Sequence, residues 1–285
     1  MNWDKSKSLI ILFLVALNAF LGVMLFAQED EHVMGPEDIS VITELLAGAN
    51  IVIDENTSMP MRFDPVDQLI VGEPRYDFDE LLRAFFVNSN DTIRTTEFGN
   101  TIFANGEGRL TVMQSSVLFE PSPLGGGLSV FRYATEEDLT NFVSSQPSLF
   151  PSFVLDATIV GYGDTTMLEF RQHYYGNIVL PNHVAFVIDE SGFVSEVRYA
   201  LYVVEGFVGV PKPIMPPASA LFMLALSLGL GTEPLEETTY ITYMDMVLQL
   251  EQDILTTNPY YRVLTSTHGH TNAPILINAL TGDIE

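Results

Sequence analysis

The chain has 285 residues, of which 47% are hydrophobic and 11% aromatic, and it contains no cysteine. This composition is sufficient for a sizeable core and excludes disulfides, thiol nucleophiles and thiolate metal sites. The formal charge is +1 for residues 1–27 and −26 for residues 28–285. Because so acidic a surface repels phosphate, the sequence argues against nucleic-acid binding.

Residues 9–27 form an apolar segment of 19 residues without a charge. As a helix it would be about 28 Å long, which matches the hydrocarbon core of a bilayer. Two lysines precede the segment and three acidic residues follow it. We therefore predict a single-pass cell-membrane anchor with a cytoplasmic N-terminus and residues 28–285 outside the cytoplasm. A cleaved signal peptide ending at Ala27 is the alternative.

Asn18 lies in the middle of this apolar segment. A side-chain amide at that depth needs a hydrogen-bond partner, and a neighbouring helix would supply one at a gain of about 0.6–2 kcal/mol. Residues at helical spacing would share the face of the amide. The predicted partner-helix contact therefore consists of Asn18, Ile11, Leu14, Leu21, Gly22 and Leu25. A tolerated polar residue without a partner is the alternative.

The chain up to residue 148 contains three segments with the apolar spacing of helices, each with a helix-start signal. These predicted helices cover residues 36–48, 77–87 and 136–144. Asp77 or Asp79 caps the second, and Thr135 and Asp138 form the capping box of the third. Predicted strands cover residues 51–53, 101–104, 108–119 and 128–133, with Asn105-Gly106 as a hairpin turn and residues 55–74 as a loop.

The second half has the same arrangement, with several strands and one long apolar helix. Its strands are predicted at residues 156–162, 166–174, 183–188, 193–204, 240–250, 260–266 and 274–279, and its helix at residues 216–230. For residues 240–250 a Leu-rich helix is the alternative. The predicted fold class is α+β: an N-terminal transmembrane helix followed by two modules of antiparallel sheet with packed helices. The predicted divisions are a membrane anchor (1–27), a linker (28–36) and two extracytoplasmic modules (37–148 and 149–285).

The histidines are the candidate residues for catalysis or metal binding. His268 and His270 could approach one metal ion, but no third ligand has a suggestive spacing. His173 and His183 could meet across a hairpin. We predict no enzymatic activity, no catalytic residue, no cofactor and no metal ion; convergence of the four histidines in one pocket would instead favour an exported hydrolase.

Four segments together resemble one known family. They are MNWDKSKSLIILFLVALNAFLG (residues 1–22), ELLAGANIVID (44–54), LEFRQHYYGNIVLPNHVAFVIDESGFVSEVRYALYVVEGF (168–207) and APILINALTGDIE (273–285). Their order resembles the YycI family, which has an Asn- or Asp-bearing membrane helix, a Gln-x-Tyr-x-Gly strand and a closing Asn-Ala-Thr-Gly-Glu strand. Each motif is short, and the specificity comes from their order along the chain.

The resemblance implies a regulatory protein. YycI proteins and their YycH relatives are membrane-anchored partners of the WalK sensor histidine kinase, which controls cell-wall metabolism with the response regulator WalR in low-GC Gram-positive bacteria. The expected partners of this chain are therefore a WalK-type kinase, a YycH-like protein and the lipid bilayer through residues 9–27. An exported binding module for a cell-wall fragment or peptide is the alternative.

Overall fold

A computed structural model describes residues 32–124, 127–160, 165–228, 237–251, 255–268 and 270–285. The helices of these residues are α1 (Pro36–Gly48), α2 (Phe78–Phe85), α3 (Glu136–Ser144) and α4 (Pro217–Ser227). None of these described helices has the length and apolar character needed to cross a bilayer. The predicted transmembrane helix at residues 9–27 lies outside the described residues.

Fifteen strands account for most of the regular structure of the described residues. The first six are β1 (Ile51–Ser58), β2 (Val66–Gly72), β3 (Ile93–Glu97), β4 (Asn100–Asn105), β5 (Gly108–Val112) and β6 (Val117–Pro121). The others are β7 (Phe153–Val160), β8 (Thr166–Tyr174), β9 (Asn177–Ile188), β10 (Val194–Ala200), β11 (Val203–Lys212), β12 (Thr239–Glu251), β13 (Thr256–Thr267), β14 (His270–Thr271) and β15 (Ile275–Asn278).

These strands belong to a single mixed sheet, which overturns the predicted fold class. The main order is β11-β2-β13-β12-β9-β10-β6-β5-β4-β3, with β1 beside β12, β14 and β15 beside β13, and β8 between β7 and β9. Strand β12 runs parallel to both β1 and β9. The prediction of two antiparallel modules in succession is wrong because pairs such as Ile51–Thr239 join residues that local periodicity cannot relate.

Cα packing divides the chain into two compact units made of interleaved segments. The first unit takes its described residues from Met1–Val66, Lys212–Asp245 and Tyr261–Glu285. The second unit consists of Asp67–Pro211 and Met246–Tyr260. The boundary expected near residue 148 falls inside the second unit.

In the first unit, α1 packs against α4 and β1. Ile42 and Leu46 of α1 and Leu221 and Leu224 of α4 are buried. The Tyr261 hydroxyl donates a hydrogen bond to the Met215 carbonyl oxygen at 2.7 Å. This unit therefore combines an apolar helix pair with a satisfied buried hydroxyl.

In the second unit, aromatic rings from two helices and several strands form the centre of the core. Ring centroids lie 5.0–6.0 Å apart along the series Phe85, Phe119, Phe131, Phe142 and Phe186. Such tilted and edge-on pairs add specific attraction to the burial of apolar area. The sheet strands of this unit are thereby held against α2 and α3.

The predicted caps of α2 and α3 are confirmed. The Asp77 side chain accepts hydrogen bonds from the Asp79 and Glu80 amides, and Thr135 and Asp138 form the reciprocal capping box. By contrast, β2 occupies part of the predicted loop at residues 55–74. Residues 128–133 contain the 3₁₀ turn Ser129–Phe131 instead of a strand. Phe131 is buried there and Tyr133 has a positive φ, so that segment packs as a turn.

Candidate functional site

The predicted partner-helix contact cannot be placed on the described fold. Asn18, Ile11, Leu14, Leu21, Gly22 and Leu25 all lie outside the described residues. The contact therefore stays a prediction. The surfaces described below belong to the two units.

The histidines differ in their surroundings. His183 lies on β9, with its Nδ1 3.2 Å from the Pro181 carbonyl oxygen, and His173 lies opposite Ile178 in the β8–β9 pair. His268, in the first unit, is exposed, and its Nε2 lies 3.0 Å from Glu237 Oε2. Among the described side chains, no group of three or more histidine and acidic residues could hold a metal ion.

An ion-pair cluster around Arg171 occupies one face of β7, β8 and β9. The Arg171 Nε lies 3.3 Å from Asp156 Oδ2, and the Arg171 Nη2 lies 2.9 Å from Glu169 Oε1. The side chains of Arg171, Asp156 and Glu169 are 17%, 6% and 13% exposed. Removing one partner from so desolvated a set leaves an uncompensated charge, so the cluster constrains how these strands pair.

His183 lies opposite Arg171 across the β8–β9 pair. Burial lowers the pKa of His183, and the positive charge of Arg171 lowers it further. Glu169 and the Pro181 carbonyl oxygen oppose this shift, and Arg198 adds to it. The imidazole is therefore neutral at neutral pH and is a weak candidate for acid–base chemistry there.

A cleft of about 520 Å³ opens in the second unit, next to the β3–β4 turn. Its lining includes Pro74, Tyr76, Phe78, Phe98, Asn100 and Gln114. The volume and the mixture of aromatic and amide side chains fit a small organic ligand or a short peptide. The guanidinium of Arg94 lies over the Phe78 ring at 5.2 Å, so a cation already stacks on one of the lining aromatics.

A second surface of this unit is formed by Tyr174, Tyr175 and Phe207, named here the aromatic turn cluster. Ring centroids are 4.8 Å apart for Tyr174–Tyr175, 5.6 Å for Tyr175–Phe207 and 6.0 Å for Tyr174–Phe207. Tyr175 is 80% exposed and Phe207 is 44% exposed. The cluster joins the β8–β9 turn to β11 and is partly open to solvent.

Sequence reasoning missed both surfaces. Tyr174 and Tyr175 were visible as neighbours in a turn, but Phe207 joins them only through tertiary packing. The sequence does contain a signal for the turn, the dipeptide Tyr175-Gly176, whose aromatic residue occupies a position where type I′ turns favour asparagine. Phe98-Gly99 carries the same signal at the cleft.

Comparisons with known proteins identify a similar fold but indicate no function. No family model matches the chain, and no curated protein matches it. A solved structure that it resembles is an uncharacterized protein from Eubacterium rectale, with 14% sequence identity and a TM-score of 0.54. That match covers 82% of this chain and 90% of the other. At this identity the likeness concerns the fold alone.

Proposed function

We propose that this protein is a membrane-anchored extracytoplasmic regulator of a WalK-type sensor histidine kinase. Residues 9–27 anchor it, the N-terminus is cytoplasmic, and the two units lie outside the cytoplasm. It acts on the kinase, together with a YycH-like protein, through contacts of its membrane segment and its ectodomain. The observation that carries the proposal is the order of four YycI-like segments along the chain.

Support also comes from the backbone at the glycines of these segments. Gly176, Gly192 and Gly282 have φ values of 84°, 80° and 84°. Glycine adopts this left-handed conformation at the lowest steric cost, so each of the three suits the turn in which it lies. These residues belong to the Gln-x-Tyr-x-Gly strand, the turn that follows it and the closing segment. The resemblance therefore involves residues with a definite backbone role.

The proposed mechanism depends on Asn18. Its amide bonds a polar group on a helix of the kinase or of the YycH-like partner and fixes the register of the two helices. Pro36, which begins α1, is nine residues beyond the anchor, so the first unit begins within about 30 Å of the bilayer. A differential contact of about 1–3 kcal/mol is sufficient to shift the balance between kinase states.

The test is co-purification of the kinase with the full-length protein from membranes. Asn18→Leu should lower the recovered kinase several-fold, because leucine cannot replace the interhelical hydrogen bond. Ala16→Leu, on the opposite side of the predicted helix, is the matched control and should leave recovery unchanged. Equal recovery with wild type and Asn18→Leu would contradict the proposed mechanism.

An exported binding module is the second candidate, and the cleft beside Phe98 favours it. This function predicts that a muropeptide or short peptide protects the protein against unfolding. It also predicts that Phe98→Asn weakens the protection while Asn18→Leu does not. Thermal unfolding with and without ligand separates the two candidates.

A further inference from the structure

The most exposed aromatic side chains of the described residues share an unusual backbone. Phe98, Tyr133 and Tyr175 are 103%, 81% and 80% exposed. Their φ values are 50°, 55° and 48°. A non-glycine residue in this region costs on the order of 1 kcal/mol, and an exposed ring offsets none of it through burial. Local strain of this kind concentrates where a protein binds something.

Tyr175 differs from the other two because it belongs to a cluster of rings. Its neighbours are Tyr174 at 4.8 Å and Phe207 at 5.6 Å between centroids. Three aromatic rings this close together can contact one cation jointly, as the rings of an aromatic cage do. The cluster is therefore the strongest candidate for a contact surface of the second unit.

Glu205 is the charged residue nearest in sequence to Phe207. Residues 173–182 and 203–211 carry no other formal charge with histidine neutral, and Lys212 ends β11 five residues beyond Phe207. Glu205 and Phe207 are two residues apart on β11, are both exposed, and therefore share one face of the strand. A Cβ on Gly72 would lie 2.5 Å from Glu205 Oε1, so the glycine leaves room for this carboxylate beside β2.

We propose that the aromatic turn cluster and Glu205 bind an arginine or lysine side chain from a basic segment of a partner protein. The cation lies over the ring faces, which carry the negative part of the aromatic quadrupole, and Glu205 supplies a charge-assisted hydrogen bond. The formal charge of −26 on residues 28–285 attracts such a segment and repels phosphate-bearing partners. Arg94, 5.2 Å from the Phe78 ring centroid, shows the same contact within this unit.

This inference goes beyond the proposed kinase regulation, because it names an ectodomain surface and the chemistry of what it binds. It does not depend on Asn18 or on the anchor. Failure of the peptide experiment described next would leave the kinase proposal standing. Failure of the kinase co-purification would likewise leave the cation site standing.

The probe is a short fluorescein-labelled peptide of alternating glycine and arginine, titrated with the full-length protein in neutral detergent micelles. Its control is the same peptide with citrulline in place of arginine, which keeps the shape and removes the charge. Fluorescence anisotropy at physiological salt measures the affinity. We expect the arginine peptide to bind and the citrulline peptide to bind at least about threefold more weakly.

The key variant is Tyr175→Asn. Asparagine before Gly176 suits a turn with positive φ, so the variant should unfold at the same temperature as wild type or a higher one. It should nevertheless bind the arginine peptide about three- to thirtyfold more weakly. Glu205→Gln should also weaken binding, because it removes the charge while retaining the hydrogen-bonding shape.

The matched control is Tyr133→Asn, which makes the same substitution at a residue with nearly the same φ and exposure. It should bind the peptide as wild type does. Equal loss in both variants, or equal binding of the arginine and citrulline peptides, would overturn the proposal. So would an oligosaccharide of N-acetylglucosamine that binds in a Tyr175-dependent manner while the arginine peptide does not.

Discussion

At the scale of single residues, Glu107 shows how this acidic chain uses a buried carboxylate. It lies in the β4–β5 turn and is only 5% exposed. Its Oε2 accepts a hydrogen bond from the Val87 amide at 2.7 Å, and its Oε1 accepts from the Asn88 amide at 3.0 Å and side chain at 2.6 Å. The carboxylate therefore connects the end of α2 to a hairpin and is satisfied where it is desolvated.

Glu107→Gln is expected to lower the free energy of unfolding by about 1–3 kcal/mol. In the variant, the side-chain NH₂ group replaces one carboxylate oxygen and faces an N–H group instead of accepting a hydrogen bond from it. At least one hydrogen bond of a buried group is therefore lost. Urea unfolding followed by circular dichroism measures the change. Glu97→Gln, at an exposed ion pair with Arg109, is the control and should change stability by less than about 1 kcal/mol.

His183 makes stability depend on pH in a definite direction. Its pKa is lowered in the folded state below the ordinary value of 6.5, so the unfolded state binds more protons as pH falls through this region. The contribution of His183 to the free energy of unfolding is complete above pH 6.5. It is lost as the pH falls toward the lowered pKa. His183→Gln should therefore flatten the curve of unfolding free energy against pH on this acidic side.

The control for this measurement is His268→Gln, at an exposed histidine paired with Glu237. Chemical unfolding at a series of pH values between neutrality and moderate acidity provides the curves. A wild-type curve that stays level below pH 6.5, or a His183→Gln curve that falls as steeply as wild type, would contradict the account.

At the scale of elements, the β3–β4 hairpin contains a turn that its sequence does not favour. Phe98 and Gly99 have φ values of 50° and 85°. Two successive positive φ values are typical of type I′ turns, in which Asn-Gly is preferred. Phe98 is also fully exposed. The phenylalanine therefore lowers local stability at a position that borders the cleft.

Phe98→Asn should raise the free energy of unfolding by about 0.5–1 kcal/mol, because asparagine tolerates this conformation better. Gly99→Ala is the opposite variant, expected to destabilise by about 1–2 kcal/mol from backbone strain alone. Gly99 and its two chain neighbours apart, no heavy atom of the described residues lies within 4 Å of the position that a Cβ on Gly99 would take. Thermal unfolding measures both variants, and a destabilised Phe98→Asn would contradict this explanation of the turn.

The helices could be predicted because their signals are local. The caps at Asp77 and Thr135 and the apolar spacing after them occur within a few residues, and the structure confirms them. Strand pairing could not be predicted in the same way. Strand β2 falls in a segment predicted as a loop, because its place in the sheet depends on β13, whose Thr256 lies opposite Ile70. The aromatic turn cluster could not be predicted for the same reason, since Phe207 comes from another strand.

At the scale of the whole molecule, the mixed sheet differs from the predicted pair of successive modules. Each compact unit is assembled from segments that are distant in the sequence. Strands β12 and β13 contribute residues to both units, so a chain cut at residue 148 would not separate two folding modules. The predicted division followed the order of local elements, and that order does not determine which strands become neighbours.

The net charge is a second property that belongs to the molecule as a whole. The formal −26 of residues 28–285 follows directly from composition and is independent of the fold. The net negative charge favours basic partners over acidic ones, which is consistent with a cation at the aromatic turn cluster. Charge alone does not select one surface, so the selection comes from the rings and from Glu205.

The most direct test of the central claim is the autophosphorylation rate of the WalK-type kinase in lipid vesicles, measured with and without the full-length protein. We predict that the protein changes the rate about fivefold or more, in either direction, and that Asn18→Leu removes most of the change. A kinase rate that is the same with and without the protein, although both insert into the same vesicles, would contradict the proposed function.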